Sequence, residues 1–122
     1  MRILLTALLV ALCGGLGAVA RFAVDGLVED RVSSEYPFGT LVVNLSGTFL
    51  LGLLVGLGAS DRVQLLMGTA TLGSYTTFST WMLESHRSAQ DGEPGLAWRS
   101  IAIALVAGLA AAGLGRVVGR AL

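Results

Sequence analysis

The residues of this chain that could do chemistry are uncharged and lie inside apolar segments. Asn44 is followed closely by serine, glycine and threonine in one segment, and the run GTATLGSYTTFSTW fills positions 68–81 of the next. In hydrocarbon, polar side chains and non-helical backbone are tolerated only where protein buries them or where they line a wet cavity. An amide that deep is hydrogen-bonded either to a neighbouring helix or to something that passes through the protein. These two stretches are therefore the first functional candidates.

Residues 73–77 predict a break in the helix of the second of these stretches. They combine a glycine and a serine with two β-branched threonines, whose hydroxyls compete for backbone partners. A break here would free carbonyl groups that can face a cation. It would also create a short half-helix carrying Phe78 and Trp81, whose amino end attracts an anion.

The apolar segments carry no group suited to catalysis. They contain no histidine, no lysine and no carboxylate away from their ends, so no nucleophile has a base within reach. Phosphate-loop and dinucleotide fingerprints are absent, and a net charge of zero without a basic cluster excludes the footprint of nucleic-acid binding. We interpret the lone His86 as a loop residue and the lone Cys13 as a small buried hydrophobe. We expect neither an enzyme nor a nucleic-acid-binding protein.

The composition is that of a membrane protein. Of 122 residues, 54% are apolar and only 13% are charged, which is about half the charged fraction usual in soluble domains. Four apolar segments, at about 3–24, 38–59, 63–83 and 100–118, are close to the roughly 20 residues that cross a bilayer. The sequence therefore predicts one all-α, multi-pass domain over 1–122. The start of the first segment also has features of a cleaved secretory signal, which would leave three spans.

The arginines assign no orientation to these spans. Those on the side of the termini are balanced by those on the other side, so the positive-inside rule gives no preference. The sequence therefore permits insertion both ways and assembly of an antiparallel dimer. Arg21, near the far end of the first span, is either an interfacial anchor or an anion-attracting residue of a vestibule. The arginines on the side of the termini are Arg2, Arg62, Arg116 and Arg120, and those opposite are Arg31, Arg87 and Arg99.

Three blocks of sequence resemble the Fluc/CrcB family of fluoride channels in their order and spacing. They are GGLGAVARF at 14–22, PFGTLVVNLSGTFLLG at 37–52 and GTATLGSYTTFSTW at 68–81. The resemblance implies a fluoride-selective channel in the cell membrane that lets cytoplasmic fluoride leave passively and so reduces its toxicity. It also implies four transmembrane helices with a break in the third, and a dual-topology, antiparallel homodimer with a structural sodium ion at its centre.

The resemblance also assigns roles by position. The backbone carbonyls of Gly73 and Thr76 from both subunits would hold the sodium ion. Asn44 becomes a donor in the pore, and Phe78 becomes one aromatic of a phenylalanine pair. The anion path would consist of Asn44, Thr77, Phe78, Ser79 and Trp81, with Arg21 matching the arginine of the family's first block.

Two departures from the family pattern keep an alternative open. Trp81 stands where the family commonly has its second phenylalanine, and the fourth span has Ser100 and Ala104 where a tyrosine and a serine are often found. Either the pore tolerates tryptophan, or the chain is one half of a heterodimer, against which the balanced arginines argue. A small dual-topology exporter would need an intramembrane carboxylate. A non-transporting membrane scaffold would explain the glycine packing but not Asn44 or the broken third span.

Overall fold

A computed structural model describes residues 1–34 and 36–122, and that part of the chain is built from helices. Three of the helices are long and apolar enough to cross a membrane. The stretch between the second and third of these is divided into short segments. In chain order the elements are α1 (Arg2–Arg31), α2 (Phe38–Gly56), α3 (Asp61–Val63), a π-helix (Gln64–Leu72), α4 (Gly73–Tyr75), α5 (Ser79–Gln90) and α6 (Pro94–Ala121).

The three long helices extend differently from the predicted spans. α1 continues to Arg31 and α6 begins at Pro94, so both run beyond the apolar cores predicted at 3–24 and 100–118. Apolar patterning marks only the part in hydrocarbon, whereas backbone hydrogen bonding continues the helix into water. α2 ends at Gly56, three residues before the predicted end, and Gly58 follows with a φ of 64°. That left-handed conformation suits glycine and turns the chain.

The segment predicted as a third span at 63–83 is not one continuous helix. Nine of its residues form a π-helix, and the helical path stops at Tyr75 and resumes at Ser79. α5 then continues past the predicted end to Gln90, because residues 84–90 are mostly good helix formers. The interpretation of His86 as a loop residue is therefore wrong, since this exposed side chain lies within α5.

α2 and α6 pack against each other through glycines spaced four residues apart. Gly52 and Gly56 on α2 meet Gly115 and Gly119 on α6, and a Cβ atom at any of the four would collide with backbone of the facing helix. Small residues at such an interface let two backbones approach closely, which is how membrane helices gain packing contacts. The carbonyls that would be struck are those of Ala112, Arg116, Phe49 and Leu53, respectively.

α1 packs against the segmented stretch through the small residues near its middle. A Cβ at Gly17 would collide with the Thr71 carbonyl, and a Cβ at Gly14 would lie 3.2 Å from Ser74 Oγ. The π-helix is supported locally as well, because Thr71 Oγ1 donates to the Leu66 carbonyl five residues back at 2.8 Å. α1 and α2 therefore hold the segmented stretch from two sides.

Candidate functional site

The helical path is interrupted at residues 76–78, which we call the break. Thr76 closes the preceding helix with φ −75° and ψ 157°, an extended conformation that a helix cannot continue through. Its N–H and its hydroxyl both donate to the Leu72 carbonyl, at 2.9 and 3.0 Å, so Thr76 completes the last turn of the ending helix. A β-branched residue with a hydroxyl favours such an ending because it can exchange helical bonds for local ones.

Asn44 on α2 binds the backbone of Thr77 with both ends of its side-chain amide. Nδ2 donates to the Thr77 carbonyl at 2.8 Å, and the Thr77 N–H donates to Asn44 Oδ1 at 2.8 Å. One side chain thus replaces the two helical partners that Thr77 has lost. Of the two N–H groups on Nδ2, the second has no acceptor in the described part of the chain. Asn44 therefore joins α2 to the break and keeps one N–H group that could donate to another acceptor.

A second contact joins the residue that precedes the break to the same helix. Ser46 Oγ and Tyr75 Oη lie 2.8 Å apart, and Ser46 Oγ also donates to the Val43 carbonyl at 3.1 Å. α2 is thus hydrogen-bonded to the chain within the break and immediately before it. The sequence indicated only that Ser46 and Tyr75 lie in polar runs. Their contact could not be predicted, because the two residues are 29 positions apart and no local pattern marks such a pair.

The break releases two backbone carbonyls from helical hydrogen bonding. In a continuous helix the Gly73 carbonyl would accept from the Thr77 N–H, but that N–H donates to Asn44 Oδ1 instead. The Thr76 carbonyl would likewise accept from the Thr80 N–H, which donates to Thr77 Oγ1 at 3.3 Å. Freed carbonyl oxygens at unwound helix are the ligands that membrane proteins offer to sodium.

Gly73 and Thr76 line the same surface groove, which we call the Gly73 groove. It lies between α2 and the π-helix and encloses about 530 Å³. Gly73 is exposed there, and a Cβ at this position would meet only the Gly68 carbonyl, at 3.9 Å. The donor chemistry and the open approach both fit a cation bound by backbone oxygens. The remaining lining residues include Gly47, Thr48, Leu51, Asp61, Gln64 and Thr69.

On the other side of Thr76 lies a second groove of about 360 Å³, which we call the anion groove. It brings together Asn44, Thr77, Phe78 and Trp81, four of the residues assigned to the anion path. The Phe78 and Trp81 rings meet edge to face, with centroids 5.7 Å apart and planes at 85°. In such an arrangement the positive edge of one ring points at the negative face of the other. The lining is completed by Leu41, Leu45, Thr48 and Thr76 and by Ala104, Leu105, Gly108, Leu109 and Ala112 of α6.

Arg21 and Ser79 do not line the anion groove. Arg21 lines a separate cavity of about 220 Å³ between α1, α2 and α5, together with Asp25, Thr40 and Thr77. Thr77 lies on the wall of both spaces, so the break separates the Arg21 cavity from the anion groove. Ser79 is exposed at the first turn of α5.

A polar contact near the Arg21 cavity was not expected from the sequence. The buried Thr40 hydroxyl donates to Glu84 Oε1 at 3.0 Å, joining the first turn of α2 to α5. Asp25 Oδ1 and Glu84 Oε2 are both buried without a hydrogen-bond partner in the described part of the chain. The only sequence signal was that Asp25 and Glu84 are the carboxylates that directly adjoin the apolar cores of the first and third predicted spans.

Comparison with known proteins gives consistent matches over most of the chain. A family model described as "CrcB-like protein, Camphor Resistance (CrcB)" matches residues 8–116. A relative from Mycolicibacterium paratuberculosis, named "Fluoride-specific ion channel FluC 2", is 53% identical over 107 residues, 88% of each chain. A protein of the same name from Mycobacterium tuberculosis is 49% identical over 88% of this chain and 85% of its own length. "Fluoride-specific ion channel FluC 1" of Symbiobacterium thermophilum is 38% identical over 91% of this chain and 94% of its own.

These matches confirm the resemblance drawn from the three sequence blocks, and the long apolar helices agree with it. The family model alone covers more than half of the chain, and three relatives cover more than two thirds of it at 38% identity or above. The protein is thus a multi-pass membrane protein and belongs to the CrcB-like family.

Proposed function

We propose that this chain forms a fluoride-selective ion channel through which cytoplasmic fluoride leaves down its gradient, which reduces its toxicity. The observation that carries the proposal is the break at residues 76–78, held by Asn44 beside an uncharged groove with two aromatic rings. The names of the relatives give the identity of the ion. Hydrogen fluoride crosses membranes as the neutral acid and dissociates inside, so a passive route for the ion is sufficient for export.

The anion groove has the chemistry of a conducting path rather than of a tight binding site. A small anion that loses its water there meets the remaining Asn44 N–H and the positive edges of the Phe78 and Trp81 rings. Among the described residues, no charged side chain lines the groove. Binding that is favourable yet weak enough for release is what conduction requires, and a buried cation would hold the ion too tightly. The Arg21 cavity, on the other side of Thr77, would attract anions from the aqueous side.

We further propose that the working unit is an antiparallel, dual-topology homodimer in the cell membrane. The side chain of Phe78 is 69% exposed in the single chain, and both grooves are open on one side. A second copy would close them and exclude lipid from the polar break. In this unit the stretch from α3 through the first turn of α5 makes the third of four crossings, interrupted at the break. The balanced arginines support insertion in both orientations.

The sodium ion at the dimer centre is part of the same proposal. The carbonyls of Gly73 and Thr76 are released by the break and both residues line one groove. Two copies related by a twofold axis would then supply four backbone oxygens. A bound sodium ion would neutralise these dipoles and hold the two breaks together. The proposed ligands of the sodium ion are backbone carbonyl oxygens, so no side-chain substitution can remove them.

A heterodimer with a second, related subunit is the alternative assembly. Fluoride conduction by the chain purified without another subunit would favour the homodimer over this heterodimer. A dual-topology exporter would be recognised by flux that depends on a proton gradient, and a scaffold by the absence of any flux.

The test is fluoride efflux from liposomes that contain the purified protein, followed with a fluoride electrode. We expect efflux well above that of empty liposomes, little chloride efflux under the same gradient, and no requirement for ATP or a proton gradient. A folded dimer that releases no more fluoride than empty liposomes would overturn the proposal.

A further inference from the structure

The hydroxyl groups that line the anion groove are already engaged as donors. Each one donates to an oxygen of the same chain, so none of them has a free hydrogen for an ion without first losing a bond. The pairs are Thr48 with the Asn44 carbonyl at 2.9 Å, Thr76 with the Leu72 carbonyl at 3.0 Å, and Thr77 with Thr80 Oγ1 at 3.1 Å. The Thr77 N–H is engaged as well, because it donates to Asn44 Oδ1.

The α6 wall of the anion groove contributes no side-chain donor. Its five lining residues are alanine, leucine or glycine, so this wall can exclude water but cannot replace it. The only hydroxyl of α6, on Ser100, is buried outside the groove lining. A dehydrated anion facing α6 would therefore lack hydrogen bonds on that side.

Trp81 carries a donor that is not engaged. Its Nε1 atom is buried and has no hydrogen-bond partner in the part of the chain that the structure describes. The indole N–H can only donate, so a buried one without an acceptor carries an uncompensated desolvation cost. Because the nitrogen is screened from solvent, water does not recover that cost. Among the residues that line this groove, Trp81 and Asn44 therefore carry the N–H groups without a partner in the described part of the chain.

We propose that the Trp81 Nε1–H group donates a hydrogen bond to the anion in the groove and supplies the donor that α6 lacks, an inference that rests on the proposed fluoride channel. Because the N–H is buried in the single chain, the proposal requires the indole to rotate so that the N–H faces an ion that has shed its water. Fluoride gains most from this donor, because its charge is concentrated on a small atom that accepts strong hydrogen bonds. The tryptophan is thereby a specificity-determining residue, with a role that a phenylalanine ring edge fills only in part.

The first test observes the indole directly, with the full-length protein in lipid nanodiscs. The chain has two tryptophans, and Trp98 is 72% exposed at the start of α6, outside both grooves. The variant Trp98→Phe leaves Trp81 as the single indole N–H resonance in a ¹⁵N-labelled sample. Titration with sodium fluoride should shift this proton downfield and saturate, whereas sodium chloride should leave it in place.

The second test separates the donor from the ring. Replacing the Trp81 indole by benzothiophene, through the amino acid 3-benzothienylalanine, keeps the shape and substitutes sulfur for N–H. A hydrogen bond from a neutral donor to an ion corresponds to about a tenfold change in affinity. We therefore expect fluoride efflux to half-saturate at an about tenfold higher concentration. Trp81→Phe should show a similar shift in half-saturation.

The outcomes distinguish this inference from the proposed function. If the Trp81 indole resonance does not shift with fluoride while liposomes release fluoride normally, the role of Trp81 is overturned and the proposed channel still stands. An equal shift with chloride would overturn the specificity. Absence of efflux from a folded dimer of the unmodified protein would overturn the proposed homodimeric channel. The resonance test needs no change at position 81, so it remains decisive even if the Trp81 variants fail to fold.

Discussion

At the scale of single residues, Asn44 has two roles that the sequence could not separate. Its position in an apolar helix predicted that the amide is hydrogen-bonded, either to another helix or to a permeating ion. The structure gives the helix contact, since two bonds of 2.8 Å join the side chain to Thr77. The remaining N–H group of Asn44 could donate to a permeating ion, so that role stays a prediction. The partner was unpredictable, because Thr77 lies 33 residues further along the chain and only the fold brings it near.

Substitution of Asn44 tests both roles together. Asn44→Ala removes both bonds to the Thr77 backbone and leaves that N–H and carbonyl without their partner. We expect unfolding to become easier by about 2–4 kcal/mol and fluoride efflux to fall by more than tenfold. Thermal unfolding in detergent and liposome efflux measure the two effects.

Ser46→Ala is the matched control for Asn44→Ala. It lies two residues away on α2, loses the contact with Tyr75 Oη and does not line the anion groove. It should lower stability by about 1 kcal/mol with efflux nearly unchanged. If both variants lost efflux equally, the polar contacts of α2 would matter only for folding.

Phe78 allows the chemistry of the ring to be tested without damage to the fold. Because its side chain is 69% exposed in the single chain, Phe78→Leu should change the stability of that chain by less than about 0.5 kcal/mol. The leucine keeps an apolar surface but lacks a positive ring edge, so efflux should drop by at least about tenfold. Gel filtration should show the same assembly as for the unmodified protein, and an unaltered efflux rate would remove Phe78 from the path.

At the scale of the elements, α2 organises the molecule. Asn44 and Ser46 hydrogen-bond to Thr77 and Tyr75 respectively, whereas Gly52 and Gly56, about one turn apart, pack against α6. The length of the apolar segments was sufficient to predict most of α2 and the core of α6. It could not give which glycines meet, since 17 glycines offer many pairings and only tertiary packing selects among them.

The third element shows most clearly where sequence reasoning stops. Glycine, serine and threonine in residues 73–77 predicted weak helix there, and the helical path does stop at Tyr75. The π-helix Gln64–Leu72 before it had no sequence signature. A π-helix needs support from its surroundings, which here includes contact between Gly17 of α1 and the Thr71 carbonyl. Such support depends on a distant segment and is invisible to a local pattern.

Two glycines on α6 provide a matched test of this packing. Gly115→Ala places a methyl group against the Phe49 carbonyl of α2, whereas Gly113→Ala meets nothing within 4 Å. We expect Gly115→Ala to destabilise the protein by about 2 kcal/mol or more, because backbone cannot move aside easily. Gly113→Ala should be neutral or stabilising by up to about 1 kcal/mol through helix propensity. Thermal unfolding measures both, and equal stabilities would contradict the close approach of α2 and α6.

At the scale of the whole molecule, the two grooves lie on either side of the break and share Thr48 and Thr76. A partner that covers one groove is therefore close to the other. This arrangement links the proposed cation position to the proposed anion path through a single short segment. Assembly and conduction are then expected to depend on each other.

Removal of sodium tests that link. We expect prolonged exchange of sodium for N-methyl-D-glucamine, at constant ionic strength, to dissociate the dimer, because the four carbonyls of Gly73 and Thr76 would then face one another without a cation. Size-exclusion chromatography follows the assembly, and efflux after reconstitution follows function. Restored sodium should recover both. A dimer that persists and conducts without sodium would remove the ion from the proposal.

The orientation of the chain in the membrane is the last property that belongs to the whole molecule. In the proposed topology of four crossings, four arginines lie on the side of the termini and three on the other, with Arg21 near the latter boundary. The distribution of charge then favours neither orientation of the chain. A reporter fused after Leu122 should therefore appear on both sides of the membrane in comparable amounts. Added arginines beside one loop should shift the population toward one orientation and lower the yield of conducting dimers. Efflux should return when two oppositely biased variants are expressed together, since an antiparallel pair needs one of each. A reporter found on only one side in the unmodified protein would contradict dual topology and favour a partner of fixed, opposite orientation.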